Sequence, residues 1–117
     1  MPTRTSLKKQ ASAARPRKSV MNAEEMFAHA GEAADFLKAL ANDQRLAILC
    51  TLLEGPLSVG QINEKVELSQ SALSQHLAVL RDSNLVNTEK QSQTVYYSLH
   101  DDKTRRMLEL LHECFCG

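Results

Sequence analysis

The stretch Ser69–Val86, SQSALSQHLAVLRDSNLV, decides how this chain is read. Leu73, Leu77 and Leu80 recur at the spacing that lines them up on one side of an α-helix, so that side is expected to dock on a core. Ser71, Gln75 and Ala78 stand opposite, with Ser74 on the shoulder. The outward face is small and polar rather than charged. A helix built this way can sit on its own domain while presenting short hydrogen-bonding side chains to something else.

Upstream, Ser58 and Gln61 form a capping box of the S-x-x-Q kind, which opens a short helix carrying Ile62 and Val66. A polar break at Glu67-Leu68-Ser69 separates it from the decisive stretch. Further back, Leu46, Leu49, Leu52 and Leu53 mark a helix that begins after a break at Ala41-Asn42 and is stopped by Gly55-Pro56. The first helix starts near Asn22, paired with Glu25 as a cap, and carries Met26, Ala30, Ala33, Leu37 and Leu40 at helical spacing. Downstream, Leu85 to Lys90 and Gln93 to Leu99 are β-prone runs around Gln91-Ser92, with Val95, Tyr97 and Leu99 alternating against Tyr96 and Ser98. A last helix begins around Asp101, carries Met107, Leu108, Leu110 and Leu111, and runs to Cys114-Phe115-Cys116-Gly117. Two short helices joined by a tight break and followed directly by a hairpin give the order helix, turn, helix, wing. The expected fold is therefore mainly α with a small β-hairpin wing, a winged helix-turn-helix.

At 117 residues and 43% hydrophobic content the chain has room for one compact domain. Its formal charge is zero, but the charge is unevenly placed. Residues 1–20 hold Arg4, Lys8, Lys9, Arg15, Arg17 and Lys18 without an acid, leaving 8 basic residues to face all 14 acids in the remainder. The expected division is a basic, disordered tail at 1–20 and a DNA-binding and dimerisation domain at 21–117. The tail reads either as a solubilising extension or as an arm that assists DNA binding. No apolar run reaches the roughly 20 residues needed to cross a bilayer, and no apolar stretch follows the N-terminal charges, so no membrane partner and a cytoplasmic location are expected. Three cysteines without dense spacing are not a disulfide scaffold, and their odd number leaves at least one unpaired within the chain. A glycine loop for phosphate and a clustered nucleophile, base and acid are both missing, so neither an enzyme nor a cofactor is expected.

Base edges and phosphates are approached closely only by short side chains. Gln70, Ser71, Ser74 and Gln75 meet that requirement, and the helix start at Ser69 offers backbone amides to a phosphate. The hairpin tip, with Lys90, Gln91 and Gln93, is placed to lie along a flanking groove. The same polar stripe also fits an ordinary solvated amphipathic helix.

The string SQSALSQHLAVLRDSNLV resembles the recognition-helix signature of the ArsR/SmtB family of small winged-helix regulators, and LKALANDQRLAILCTLL and TVYYSL extend the likeness from about Glu24 to Cys116. The resemblance implies a homodimer, formed through the first and last helices, that binds the halves of a pseudo-palindromic double-stranded operator. Pairing would also cover the long apolar faces of the two terminal helices. The two reading helices would lie one DNA turn, roughly 34 Å, apart. The family places a histidine near the DNA backbone where His76 stands; the alternative is a packed or surface histidine.

The family's metal sites are poorly matched. Ser58 and Gly60 occupy the positions of the thiolate box, and Asp101, Lys103, Cys114 and Gly117 those of the last-helix site, of which only two can ligate. A looser set of His100, Asp102, His112 and Cys114 has unconvincing spacing, so no metal is expected. Cys50, after Ala47-Ile48-Leu49, and Cys116, after Phe115, instead resemble the cysteine pair of the metal-independent, thiol-sensing branch typified by BigR, SqrR and HlyU. That resemblance implies an inducer that is a reactive sulfur species or an oxidant, which links the two thiols and changes DNA affinity. An aliphatic helix tends to raise a thiol pKa, so activation calls for a nearby cation, for which His112 is a candidate. A buried, inert cysteine is the other reading of Cys50, and Cys114 is an additional thiol of open role.

Overall fold

A computed structural model describes residues 22–117; the basic segment 1–20 lies outside the described residues. The elements are α1 (Ala23–Leu40), α2 (Asp43–Thr51), β1 (Leu57–Ser58), α3 (Val59–Lys65), α4 (Gln70–Asp82), β2 (Val86–Gln91), β3 (Thr94–Leu99) and α5 (Asp102–Phe115). The chain falls into two compact units, residues 1–31 and 32–117. In the first, the described part is the start of α1, where Asn22 Oδ1 accepts from the amides of Glu24 at 2.9 Å and Glu25 at 3.2 Å.

The second unit is built on one core of Ala39, Leu40, Ile48, Leu49, Leu52, Ile62, Leu73, Leu77, Leu80, Leu85, Val86 and Leu108, all buried. Each helix start is capped by a short polar side chain, which meets amides that would otherwise lack partners. Asn42 Oδ1 takes the amides of Gln44 and Arg45. Ser58 and Gln61 close both halves of the expected capping box, at 2.9 and 3.2 Å. Ser69 Oγ accepts from Ala72 N at 3.1 Å. The break between α3 and α4 is tied by Asn63 Nδ2, which donates to the Leu68 carbonyl at 3.0 Å. Arginines secure two helix ends: Arg45 Nε donates to the Ala39 carbonyl at 2.7 Å, and Arg105 Nη1 to the Leu53 carbonyl at 2.8 Å.

Four details depart from the sequence reading. The helix through Ser69–Val86 stops at Asp82, because Asn84 turns left-handed at φ 61. Its amide reaches the Arg81 carbonyl and that of Leu85 the Leu80 carbonyl, a Schellman closure that also stacks the buried Leu85 on the buried Leu80. Second, α2 ends at Thr51 rather than including Leu52 and Leu53, whose amides bond three residues back in a tightening turn. Third, the hairpin turns at Ser92-Gln93, one residue later than expected, with Gln91 paired to Thr94 and Ser92 at φ 59. Two-residue hairpin loops need positive φ at their first position to match strand twist. Fourth, β1 joins the hairpin to make a three-stranded antiparallel sheet in the order β1-β3-β2, with Leu57 opposite Tyr97. Tyr97 and Leu99 pack on the core, whereas Val95 is exposed; the alternation fades where β3 approaches the tip of the wing.

Asp101 caps α5, accepting from both the amide and the hydroxyl of Thr104 at 3.0 Å, and Thr104 is fully buried. Burial alone would raise the Asp101 pKa, but the Thr104 hydrogen bonds and the neighbouring charges of Lys103 and His100 outweigh it and hold the carboxyl below its ordinary value. Its contribution to stability is thus present above the unfolded carboxylate range near pH 4 and is lost as pH falls through the lower folded value. Asp101→Ala is expected to cost about 1 kcal/mol at neutral pH. Asp101→Asn should flatten the acid side of the stability curve, read by urea melts between about pH 5 and 3.

Candidate nucleic-acid interface

The turn between α3 and α4 fixes which side of α4 faces outward. Leu73, Leu77 and Leu80 are buried, and Gln70, Ser71, Ser74, Gln75 and Ala78 are exposed. The exposed face therefore carries two glutamines and two serines, with no formal charge. At its start, Ser69 is exposed with its hydroxyl engaged in capping, while the helical geometry leaves the amides of Gln70 and Ser71 without an intrahelical partner at the positive end of the helix. A phosphate oxygen is the kind of acceptor such an end takes. On the wing, Lys90 and Gln91 are exposed near the end of β2, and Gln93 lies in the turn itself. Over residues 69–99, Arg81 and Lys90 are balanced by Asp82 and Glu89, so contact at this surface rests on dipoles and hydrogen bonds more than on net charge.

His76 is half-buried, and its Nε2 lies 2.9 Å from Gln44 Oε1 on α2. One ring nitrogen thus ties α4 to α2. Gln44 was not singled out in the sequence, because its role depends on a residue 32 positions away. His100, considered above as a loose ligand, has Nδ1 2.7 Å from Asn87 Oδ1 on β2. Among the described residues no group of three or more His, Cys, Asp or Glu side chains is placed to hold a metal ion, and no helix is long and apolar enough to cross a membrane.

The two thiols singled out earlier are brought within electrostatic reach of each other. Cys50 stands in the last turn of α2 and Cys116 is the C-cap of α5; both are exposed and free. Partial burial, and then the negative charge of a Cys116 thiolate, push the Cys50 thiol above its ordinary pKa. The inert, fully buried reading of Cys50 is thereby set aside. His112 supplies its backbone carbonyl to the Cys116 amide at 2.8 Å, and no cation is among the influences on the Cys50 thiol. Cys114 is exposed, two residues before Cys116 and about 160° around the helix from it.

A family model described as "Bacterial regulatory protein, arsR family" matches residues 42–88, from the cap of α2 into β2. The chain is 53% identical to the transcriptional activator HlyU of Vibrio cholerae over 96 residues, 82% of this chain and 89% of that protein. The structure of reduced HlyU from the same organism superposes with a TM-score of 0.74 at 52% identity, covering 80% of this chain and 99% of that one. The transcriptional repressor BigR of Xylella fastidiosa superposes with a TM-score of 0.78 at 37% identity, covering 83% and 99%.

Proposed function

The chain belongs to the ArsR family of bacterial regulatory proteins, and we propose that it represses transcription as a homodimer on a pseudo-palindromic operator, released when Cys50 and Cys116 become covalently linked. As a member of that family it is a DNA-binding transcriptional regulator and not an enzyme. The reading helix is α4: Ser71, Ser74 and Gln75 address base edges, Gln70 and the first amides of α4 engage phosphate, and Lys90 and Gln93 on the wing contact the flanking backbone. His76, held to Gln44 through one ring nitrogen, stands on α4 to approach the DNA backbone.

Dimerisation through α1 and α5 is supported by what those helices leave uncovered. Met26, Phe27 and Leu37 on α1, and Leu110 and Phe115 on α5, are exposed, Phe27 at 75% and Phe115 at 82%. An exposed side chain of this size on each of these helices is an apolar surface that a symmetric partner would cover.

The observation that carries the switch is that Cys50, in the last turn of α2, and Cys116, the C-cap of α5, are both accessible and near enough for the charge of one to act on the other. With a persulfide as inducer, one protein thiolate takes the terminal sulfur of the donor, releasing the donor's thiolate and leaving a protein persulfide. The second protein thiol then displaces that outer sulfur as hydrogen sulfide, and the disulfide forms. A peroxide reaches the same bridge through a sulfenic acid, releasing two waters. Either route couples the helix next to the reading head to the helix assigned to the dimer interface, so the bridge biases the spacing of the two heads. The test is mass spectrometry of protein treated with a persulfide donor, paired with operator titration. A Cys50–Cys116 bridge with weakened binding is expected; an unbridged protein of unchanged affinity would remove the proposal.

The segment 1–20 is assigned to the operator backbone. Deleting it should flatten the dependence of log K on log salt by about 0.9 for each basic residue that touches a phosphate. An unchanged slope would return the segment to a solubilising role.

A further inference from the structure

Arg105 takes no part in the DNA face or the thiol pair, yet it makes a long-range contact to the segment that carries one of the thiols. From the first turn of α5 its Nη1 donates to the carbonyl of Leu53, 52 positions earlier, at 2.8 Å. Leu53 in turn donates its amide to the carbonyl of Cys50 at 3.2 Å. The acceptor of Arg105 is therefore held in the same turn that begins at Cys50. At the far end of α5, the amide of Cys116 donates to the carbonyl of His112 at 2.8 Å, which keeps Cys116 on the helical path.

Arg105 and Cys116 are eleven residues apart, and three turns of α-helix take about 10.8 residues. The two consequently stand on one line along α5, about 16 Å apart; the Arg105 end is fastened to the Leu53 carbonyl, and the charge at the Cys116 end is felt by Cys50. Cys114 stands on another side of the helix. A disulfide tolerates only a narrow range of Cβ separations, about 3.5–4.5 Å, and turning a helix by a few tens of degrees displaces its side chains by several ångströms. The rotation of α5 thus governs whether the two sulfur atoms can join.

We propose that Arg105 is the positioning residue of the thiol switch: by fastening the first turn of α5 to the Leu53 carbonyl, it sets the rotation of the helix that presents Cys116 to Cys50. The inference rests on the reading of Cys50 and Cys116 as the bridged pair. Arg105 acts through geometry, since its planar fork holds one direction where a flexible side chain would hold several.

The test equilibrates wild type, Arg105→Ala and Arg105→Lys with reduced and oxidised glutathione. Two protein thiols and one oxidised glutathione give the bridge and two reduced glutathiones, so every proton and electron is accounted for. Free thiols are then alkylated and the bridged fraction is read by mass spectrometry. In Arg105→Ala the equilibrium constant for the bridge is expected to fall about tenfold. In Arg105→Lys, whose ammonium can still donate to the Leu53 carbonyl, it should stay within about threefold of wild type. Reduced Arg105→Ala should keep the helical circular dichroism of wild type and bind operator within about twofold of it. A bridge as stable in Arg105→Ala as in wild type overturns the inference, and so does a reduced Arg105→Ala protein that has lost helix or operator affinity, because Arg105 then supports the fold in general. Wild type that forms no Cys50–Cys116 bridge in any buffer defeats the switch itself, a separate result.

Discussion

Replacing Ser71, Ser74 and Gln75 together by alanine is expected to lower operator affinity about a thousandfold, to the level of any duplex, while the protein stays folded and dimeric. The three side chains are exposed on α4, opposite the buried Leu73, Leu77 and Leu80, so their removal leaves the core contacts of the helix intact. Alanine is the best helix former, and the substitution should if anything firm α4. Each base contact of this kind is worth about 1–3 kcal/mol of discrimination, and a symmetric dimer loses each of them twice. Specific binding by such regulators exceeds non-specific binding by about 10³ or more, so losing the readout brings the two together. The measurement is fluorescence anisotropy at one stated salt concentration, with a duplex selected by the wild-type protein from a random pool set against a scrambled duplex. A triple variant that still prefers the selected duplex would assign α4 to protein contacts and leave the reading head elsewhere.

Cys50→Ser should abolish the response to persulfide without disturbing the reduced state. In wild type the bridge is expected to change operator affinity by about 5- to 150-fold, the range of ordinary allosteric coupling. Serine is close in size to cysteine, and Cys50 is exposed, so the reduced variant should bind DNA as wild type does. The pH dependence has a definite sign. Burial and the neighbouring Cys116 hold the Cys50 proton more tightly than an ordinary thiol does, and only the thiolate attacks. If Cys50 is the attacking group, bridge formation should go on accelerating with pH above the ordinary thiol value of about 8.5. A rate that levels off at or below the ordinary thiol value takes that step away from Cys50. If Cys50→Ser still responds to the donor, and zinc releases it from DNA, the metal-responsive reading replaces the thiol one.

Much of this architecture is written in short-range signals. The Ser58/Gln61 box and the starts at Asn22, Ser69 and Asp101 are visible because a cap and the amides it meets lie within three residues of each other. The polar face of α4 is equally legible, because burial of Leu73, Leu77 and Leu80 leaves it no other direction. Other features have no such marker. A two-residue strand such as β1 exists only because Tyr96 and Tyr97 lie alongside it. The turn at Ser92-Gln93 is set by pairing along the whole hairpin, and the left-handed Asn84 by the closure that seats Leu85 on Leu80. Gln44 and Arg105 gain their roles from partners 32 and 52 positions away.

The stretch Ser69–Val86 by itself determined a helix with an apolar side and a small polar side; with the capped helix and break before it and the β-prone runs after it, the sequence determined the winged helix-turn-helix class. Periodicity, capping and turn chemistry are properties of neighbouring residues, and neighbours are what a sequence displays. The tertiary structure decided where α4 stops, that His76 lies against Gln44, and that the thiol of Cys50 is accessible and feels the charge of Cys116. These depend on distances between segments far apart in the chain, which no local pattern fixes until the core around Ile48, Leu49, Leu80 and Leu108 has brought α2, α4 and α5 together.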